Sequence, residues 1–351
     1  MPLFESDTNA TSQQFSILIP FRDESSNIPT LAKSLQKLNY PIEQFEVIWI
    51  NDGSTDNSVP ILTEFIIKNS NWKLMDNQRK SNSPKKDAIN VAISKAQYNW
   101  IITTDADCEV PKKWLQSFCG FIMLHHAKQQ NIAMIAAPVA YKTENNFLQN
   151  FQNMDFLSLI GSTIGAFGIG NPFMCNGANS CYKKEAFYEV NGFDGNDTIA
   201  SGDDVFLLEK MLKKDPKSVY FLKSVDALVF TKPETTFKGL LNQRIRWASK
   251  TSATNTIFGK GVGVIVFLIN LVLVLGFVFS VFQPEYLNSF LLLFLLKFTI
   301  DFILILKTYR FVGLNNGIKS YIFSSVLYPF FVVYVVFLSF FKKVVWKGRV
   351  S

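Results

Sequence analysis

Three apolar stretches after residue 260 constrain this chain more than any other feature. They run from Val262 to Phe282, Leu287 to Leu306 and Ile318 to Phe341. Crossing a bilayer takes about 20 apolar residues, so each predicts a transmembrane helix. A helix buried in a soluble core fits poorly with these lengths and with their aromatic-rich ends. The middle stretch carries Lys297 and Asp301, spaced i, i+4 on one helical face. Such a pair neutralises itself inside a membrane and is expected to face protein rather than lipid. We read it as a structural ion pair that fixes helix packing, in preference to a transport role.

The 351 residues leave room for one large domain ahead of this region. Hydrophobic residues make up 48% of the chain, and the excess is concentrated after about residue 260, with many of the 34 Phe. Before that point charged and apolar residues mix as in a globular α/β domain. The amino terminus starts polar (Glu5, Ser6, Asp7) with no apolar signal region, so the first domain is expected on the cytoplasmic side. The net charge of +7 includes Lys250, Lys260, Lys342, Lys343, Lys347 and Arg349 around the spans. That placement points to anionic lipid head groups rather than nucleic acid. With a cytoplasmic domain, three spans put the basic tail outside, against the positive-inside tendency. Either one stretch is re-entrant or interfacial, or the chain breaks the rule. Cys108, Cys119, Cys175 and Cys181 have no metal-ligand spacing and are expected as free thiols. His125 and His126 have no partner pattern. Phe151 to Phe173 is apolar but interrupted by Gly161, Gly165, Gly168 and Gly170. It reads as an interfacial segment or one buried against the domain, not as a span.

In the first domain, Phe15 to Pro20 reads as a strand, followed by the polar loop Arg22 to Asn27 and a helical pattern from Ile28 to Leu38. Glu46 to Ile50 is a second strand that opens into Asn51-Asp52-Gly53-Ser54-Thr55-Asp56. Trp100-Ile101-Ile102-Thr103 is a third, which runs out into Thr104-Asp105-Ala106-Asp107-Cys108. Strand, helix, strand at this spacing gives right-handed βαβ units and a mostly parallel sheet. The loops at the carboxyl ends of the strands then converge on one edge, where open α/β sheets bind ligands. Two carboxylates at i, i+2 on extended backbone point to opposite sides, so one can face a metal while the other meets the ligand. Hard oxygen ligands there suit Mg²⁺ or Mn²⁺ holding a diphosphate. Alone, Asp-x-Asp is a weak signal, because a chain this long shows roughly one by chance.

The series Ile19-Pro20-Phe21-Arg22-Asp23-Glu24, Asn51 to Asp56 and Asp105-Ala106-Asp107 resembles the family 2 glycosyltransferases of the GT-A fold. The resemblance continues through Gly177-Ala178-Asn179, Ala200-Ser201-Gly202-Asp203-Asp204 and Gln243-Arg244-Ile245-Arg246-Trp247. The last element matches the Q-x-x-R-W signature of membrane-bound members such as hyaluronan, chitin and cellulose synthases. One departure is Pro84 before Lys85, where the family has glycine. It leaves open both the loop geometry and the role of Lys85 as a phosphate or acceptor contact.

The resemblance implies a polar tail over residues 1–14, a GT-A domain over 15–250 (a mostly parallel sheet flanked by helices) and a membrane domain over 251–351. It implies an inverting, metal-dependent glycosyltransferase of cell-envelope polysaccharide biosynthesis. The donor is then a nucleotide-diphosphate sugar, a UDP-sugar by preference. The acceptor is lipid-linked or a glycan, at the cytoplasmic face of the inner cell membrane. Few spans for a secretion channel favour transfer of one or few sugars, or a channel built with accessory membrane subunits. Two alternatives stand beside it: transfer to polyprenyl phosphate, and a non-catalytic nucleotide-sugar-binding scaffold.

On the same basis Asp52 would accept a hydrogen bond from uracil N3–H or a ribose hydroxyl. As a plain turn residue it would cap the Gly53-Ser54 backbone. Asp23 or Glu24 would line the donor pocket, or serve as a helix N-cap. Asp107 would ligate the metal, with Asp105 on the ribose or supporting the metal. Asp204 would be the general base, beside Asp203, since like charges this close can raise one pKa. The bland reading is an N-cap pair for a helix over Val205 to Leu212. Gln243, Arg246 and Trp247 share one helical face, where arginine can clamp diphosphate oxygens and tryptophan can wall a sugar. A juxtamembrane anchor is the rival reading. Gly177 and Asn179 would shape the floor of the acceptor site.

Overall fold

A computed structural model describes residues 1–5, 10–144, 146–196, 202–314, 318–341, 345–346 and 349–350. Ser6 and Asp7, Ala200 and Ser201, and Lys342, Lys343 and Lys347 lie outside the described residues, as do the side chains of Lys250 and Arg349. The chain divides into two units, Met1–Ala140 with Ala166–Lys232, and Tyr141–Gly165 with Pro233–Ser351. Residues 141–165 and 233–250, which the sequence reading counts with the first domain, therefore group with the apolar carboxyl-terminal helices.

The first unit is built on β1 (Phe15–Phe21), β2 (Phe45–Asn51), β3 (Trp72–Asp76), β4 (Trp100–Thr103) and β5 (Met134–Ala136). It continues with β6 (Val139–Tyr141), whose last residue enters the second unit, β7 (Ser180–Lys183), β8 (Val219–Phe221) and β9 (Val229–Thr231). Seven of these strands form one sheet in the order β3-β2-β1-β4-β7-β5-β8. β1 to β4 run parallel, and β7 enters antiparallel to both β4 and β5. Strands covered on both faces read as continuous apolar runs, and β1 and β2 are buried along nearly their whole length. The buried Glu46 of β2 is satisfied by Ser16 Oγ at 2.6 Å, Lys73 Nζ at 2.8 Å and the Gln97 amide at 2.6 Å. Strand order reverses between β1 and β4, and the crevice beyond their carboxyl ends is where such sheets bind ligands.

Helices α1 (Ile28–Leu35), α2 (Ser58–Ile66), α3 (Pro84–Lys95) and α4 (Trp114–Ala127) connect the strands. α1 buries Ile28, Leu31, Ala32 and Leu35, an i, i+3, i+4, i+7 stripe, and ends three residues before the expected Leu38. β3 escapes the sequence pattern because it is the sheet's edge, with only Trp72 buried. α5 (Phe147–Gly168), α6 (Lys184–Glu189) and α7 (Asp203–Lys214) follow. Ala88, Ile89, Ala92 and Ile93 of α3 and Leu207, Leu208 and Met211 of α7 share one core with Leu18, Ile48 and Ile101 of the sheet. Each fully buried Leu or Ile contributes about 1.5–3 kcal/mol.

The second unit holds the start of α5 together with α8 (Phe237–Ala253), α9 (Ile257–Phe282), α10 (Leu287–Val312) and α11 (Ser320–Phe341). The segments Ile257–Phe282, Pro284–Val312 and Ser320–Phe341 are long and apolar enough to cross a membrane, with window mean hydropathies of 3.0, 2.4 and 2.1. Only 11%, 6% and 17% of those windows are buried, so their apolar surface is left for lipid. Lys297 bonds Asp301, and its ammonium lies 5.3 Å from the Tyr328 ring centre, so the lysine end faces protein while the Asp301 side chain is 38% exposed. In the 151–173 segment the helix ends at Gly168, with Gly170 just beyond it. α5 runs unbroken through Gly161 and Gly165 and is buried along most of its length. A Cβ at Gly161 would stand 2.5 Å from Thr308 Oγ1 and 2.9 Å from Leu304 Cδ1, so glycine there lets α5 and α10 approach.

Candidate active site

In the first unit the loops after β1 and β2 are laced together by their own acidic and hydroxyl side chains. The Thr55 amide donates to Asp23 Oδ1 at 2.7 Å, the Glu24 amide to Ser58 Oγ at 2.7 Å and the Ser25 amide to Asp56 Oδ2 at 3.0 Å. Asp23 adopts a left-handed backbone (φ 51°), a conformation in which aspartate is enriched over most residues. The Thr55 amide holds the Asp23 carboxyl below the usual range. Burial pushes Asp56 up, but bonds from Ser58 and Ser25 outweigh it and hold the carboxyl low.

Asp52 is buried at the end of β2. Its Oδ1 accepts from Arg79 Nε at 2.6 Å and Asn77 Nδ2 at 2.8 Å, and its carbonyl accepts from Arg79 Nη2 at 2.6 Å. Asn77 also donates to the Pro84 carbonyl at 2.9 Å, which ties this loop to the start of α3. The sequence reading did not single out Arg79. Its one signal is position, three residues past a strand that ends on the same sheet edge.

Pro84 sits in the first turn of α3, where a fixed φ and a missing N–H carry no penalty. Lys85 then reaches into the acidic motifs. Its Nζ lies 2.7 Å from Asp105 Oδ1 and 3.1 Å from Asp203 Oδ2. Burial would lower this lysine, but Asp105 and Asp203 hold it charged, well above its ordinary range. Asp203 and Asp204 form the first turn of α7, and the N-cap is Gly202 with φ 85°. They are thus helix residues rather than caps, and carboxylates at that end are favoured by the helix dipole. Asp204 Oδ2 accepts from the Gly177 amide at 3.1 Å. A Cβ on Gly177 would stand 2.9 Å from Asp203 Oδ2, so this contact needs glycine. Asn179 is fully buried. It accepts from Trp114 Nε1 at 2.9 Å and donates to the Pro138 and Ala227 carbonyls at 2.7 and 2.8 Å. It braces this turn through those three bonds.

Asp107 is half-buried, and its carboxyl is pushed up to about 6 by burial, then by the charges of Asp105 and Glu24. Negative charge gathered around Asp107 in this way favours a cation beside it. Among the described residues no group of three or more His, Cys, Asp or Glu forms a metal cage. Mg²⁺ and Mn²⁺ sites commonly use one or two carboxylates, with substrate phosphates and water completing the shell. The residues present fit such an ion. The four cysteines are free, and His125 is a packing residue, its ring 4.2 Å from Phe121 and 4.4 Å from Tyr220.

In the second unit Gln243, Arg246 and Trp247 lie on α8. The buried charged residue of this segment is Arg244, whose Nε donates to Asp155 Oδ2 at 2.6 Å. Its guanidinium also bonds Gln243 Oε1 and lies 4.1 Å from the Trp247 ring centre. The Tyr141 hydroxyl donates to the same Gln243 oxygen at 3.3 Å. Tyr141 stacks on Phe156 at 4.3 Å, and Phe156 stands 6.1 Å from Trp247. Arg244 and Asp155 were missed because Q-x-x-R-W leaves that arginine unspecified. The available signal was a lone acid in an apolar helix, which demands a partner.

Residues 16–190 match the family described as Glycosyl transferase family 2. A poly-beta-1,6-N-acetyl-D-glucosamine synthase of Staphylococcus epidermidis is 27% identical over 238 residues, covering 66% of this chain and 53% of that protein. The enzyme of the same description from Staphylococcus aureus (strain COL) is 27% identical over 236 residues, with the same shares. The chain spans about half the length of these curated relatives (53%). The fold is similar to that of mannosyltransferase PcManGT from Pyrobaculum calidifontis, solved in complex with GDP-Man and Mn²⁺. That likeness has a TM-score of 0.56 at 14% identity and covers 96% of this chain and 90% of that one.

Proposed function

We propose that this chain, whose residues 16–190 match glycosyl transferase family 2, is a glycosyltransferase that transfers an N-acetylhexosamine-type sugar from a UDP-sugar to a glycan or lipid-linked acceptor with inversion. The observation that carries the reading is the Lys85 bridge. One ammonium within 3.1 Å of both Asp105 and Asp203 brings the Asp-x-Asp loop and the Asp203-Asp204 turn into one cluster. The family match supports the reaction, the names of the curated relatives support the sugar, and the three long apolar helices support a membrane-anchored enzyme with an inner-membrane acceptor.

Asp52, fixed by Arg79 and Asn77, accepts a hydrogen bond from the uracil or a ribose hydroxyl. Glu24 lines the same pocket from the first loop. Asp107 and Asp105 would hold Mg²⁺ or Mn²⁺, which would supply positive charge to the departing diphosphate. Lys85 is placed to exchange a carboxylate for a phosphate oxygen when donor binds. Asp204 takes the proton of the acceptor hydroxyl. The hydroxyl oxygen forms the new bond to the anomeric carbon, the bond from that carbon to the phosphate oxygen breaks, and UDP leaves with the electron pair. Arg246 serves the diphosphate, and Gln243 and Trp247 serve the sugar, as the Q-x-x-R-W resemblance implies.

The experiment is UDP release from a panel of UDP-sugars by the detergent-purified chain, with membrane lipid extract or oligosaccharide as acceptor. Release from a UDP-N-acetylhexosamine that chelator abolishes and Mn²⁺ restores is expected. Release that persists in chelator would contradict the metal assignment, and no acceptor-dependent release from any donor would contradict the reaction.

A further inference from the structure

The second unit contains an ion pair that the reaction scheme leaves without a task. Arg244 and Asp155 are 6% and 7% exposed, and their charges meet at 2.6 Å. A buried pair of this kind adds little stability in itself, since apolar residues of similar volume often replace one without loss. Its geometry suggests another role. The guanidinium is engaged on three sides: Nε by Asp155 Oδ2, Nη1 by Gln243 Oε1, and its plane by the Trp247 indole at 4.1 Å. Gln243 Oε1 also accepts from the Tyr141 hydroxyl. With two donors on the amide oxygen, the Gln243 side chain is oriented so that its NH₂ is the end turned away from them.

We propose that Arg244, clamped by Asp155, is a positioning residue for transfer: it sets Gln243 as a hydrogen-bond donor toward a substrate oxygen and fixes the plane of the Trp247 indole. The inference rests on the reading that Gln243 and Trp247 serve the sugar. It assigns the oxygen of Gln243 to the protein and the nitrogen to the substrate. A glutamate at position 243 keeps the bond to Arg244 but has no donor to offer, so it fails at this site despite its shape.

The test compares R244K, Q243E and the paired apolar replacement D155L/R244M in the full-length, detergent-purified chain. Lysine keeps the charge but cannot form the same planar fork or stack on an indole. A misplacement of about 1 Å costs on the order of 100-fold in rate, so R244K and Q243E are expected to lose turnover by that factor while donor binding and thermal midpoint are retained. D155L/R244M is expected to fold and remain equally impaired. Full activity in a folded D155L/R244M would show that the pair only supports the fold and would overturn the proposal. If that variant does not fold, R244K decides: wild-type turnover overturns the proposal. Q243A and W247A separate the two levels. Loss of turnover in these with none in R244K removes the positioning role alone, whereas wild-type turnover in both removes the reading of the α8 motif.

Discussion

Replacing Gly177 by alanine probes the acidic cluster with a single methyl group. The new Cβ would lie 2.9 Å from Asp203 Oδ2, 3.4 Å from Asp204 Cβ and 3.5 Å from Lys85 Nζ. Ordinary contact starts at 3.4 Å, so the Asp203 carboxylate must retreat by about 0.5 Å or the Gly177 backbone must move. Either shift disturbs the 3.1 Å contact of Asp203 with Lys85 or the 3.1 Å bond from the Gly177 amide to Asp204. Overpacking of this size costs about 1–3 kcal/mol of stability, and displacing catalytic groups by a fraction of an ångström to 1 Å costs up to roughly 100-fold in rate. The expected result of steady-state UDP release with differential scanning fluorimetry is a turnover loss of ten- to a hundredfold, as an order of magnitude, in a protein that still melts cooperatively. Wild-type turnover in Gly177→Ala would refute the reasoning, because it would mean that the carboxylates can give way without consequence.

Arg79→Ala removes the closest partner of Asp52 and is expected to weaken UDP binding roughly tenfold, a hydrogen bond to a charged group contributing about 1.5 kcal/mol. Calorimetric titration with UDP checks this, and unchanged affinity would count against Arg79 as the residue that fixes Asp52. Lys85→Met takes away the ammonium that competes for Asp105, so Mn²⁺ should bind more tightly while transfer is lost. Weaker Mn²⁺ binding by titration would contradict that competition. The carboxyls of Asp23 and Asp56 are held low by their hydrogen bonds, so the stability they add is present above the unfolded value of about 3.9 and is lost as pH falls through the lower folded values. The thermal midpoint of the wild type should therefore exceed that of Asp56→Asn at pH 7 and converge with it below about pH 4. A gap that widens on acidification would reverse the sign and reject the assignment.

Much of the site was legible because buried parallel strands advertise themselves as apolar runs with polar loops at their ends. Asp52, Asp105 and Asp107 follow such runs, and Asp203 and Asp204 open a strongly patterned helix. Lys297 and Asp301 were readable for a similar reason, since i, i+4 spacing is a local property. What escaped was set by tertiary packing. β3 lies at the sheet edge with one buried residue, so its pattern is weak and Arg79 beyond it went unnoticed. The glycines of α5 resemble breakers in sequence, yet Gly161 is an approach point for Thr308 and Leu304. Asn179 reads as a residue that shapes a pocket floor, and the three hydrogen bonds that fix it inside the protein come from distant segments. The bond between Asp155 and Arg244 spans 89 positions, and no periodicity reports on such a pair.

The central claim is that the Asp203-Asp204 turn supplies the base for sugar transfer beside a donor bound at Asp52 and the Asp-x-Asp loop. Asp204→Asn tests it most directly, since the amide keeps the shape and can still accept from the Gly177 amide through oxygen. Turnover and UDP-sugar affinity should be measured on the same preparation. The account predicts turnover reduced by about 10²–10⁴-fold with donor affinity unchanged. Turnover close to wild type, with the donor still bound, would contradict it.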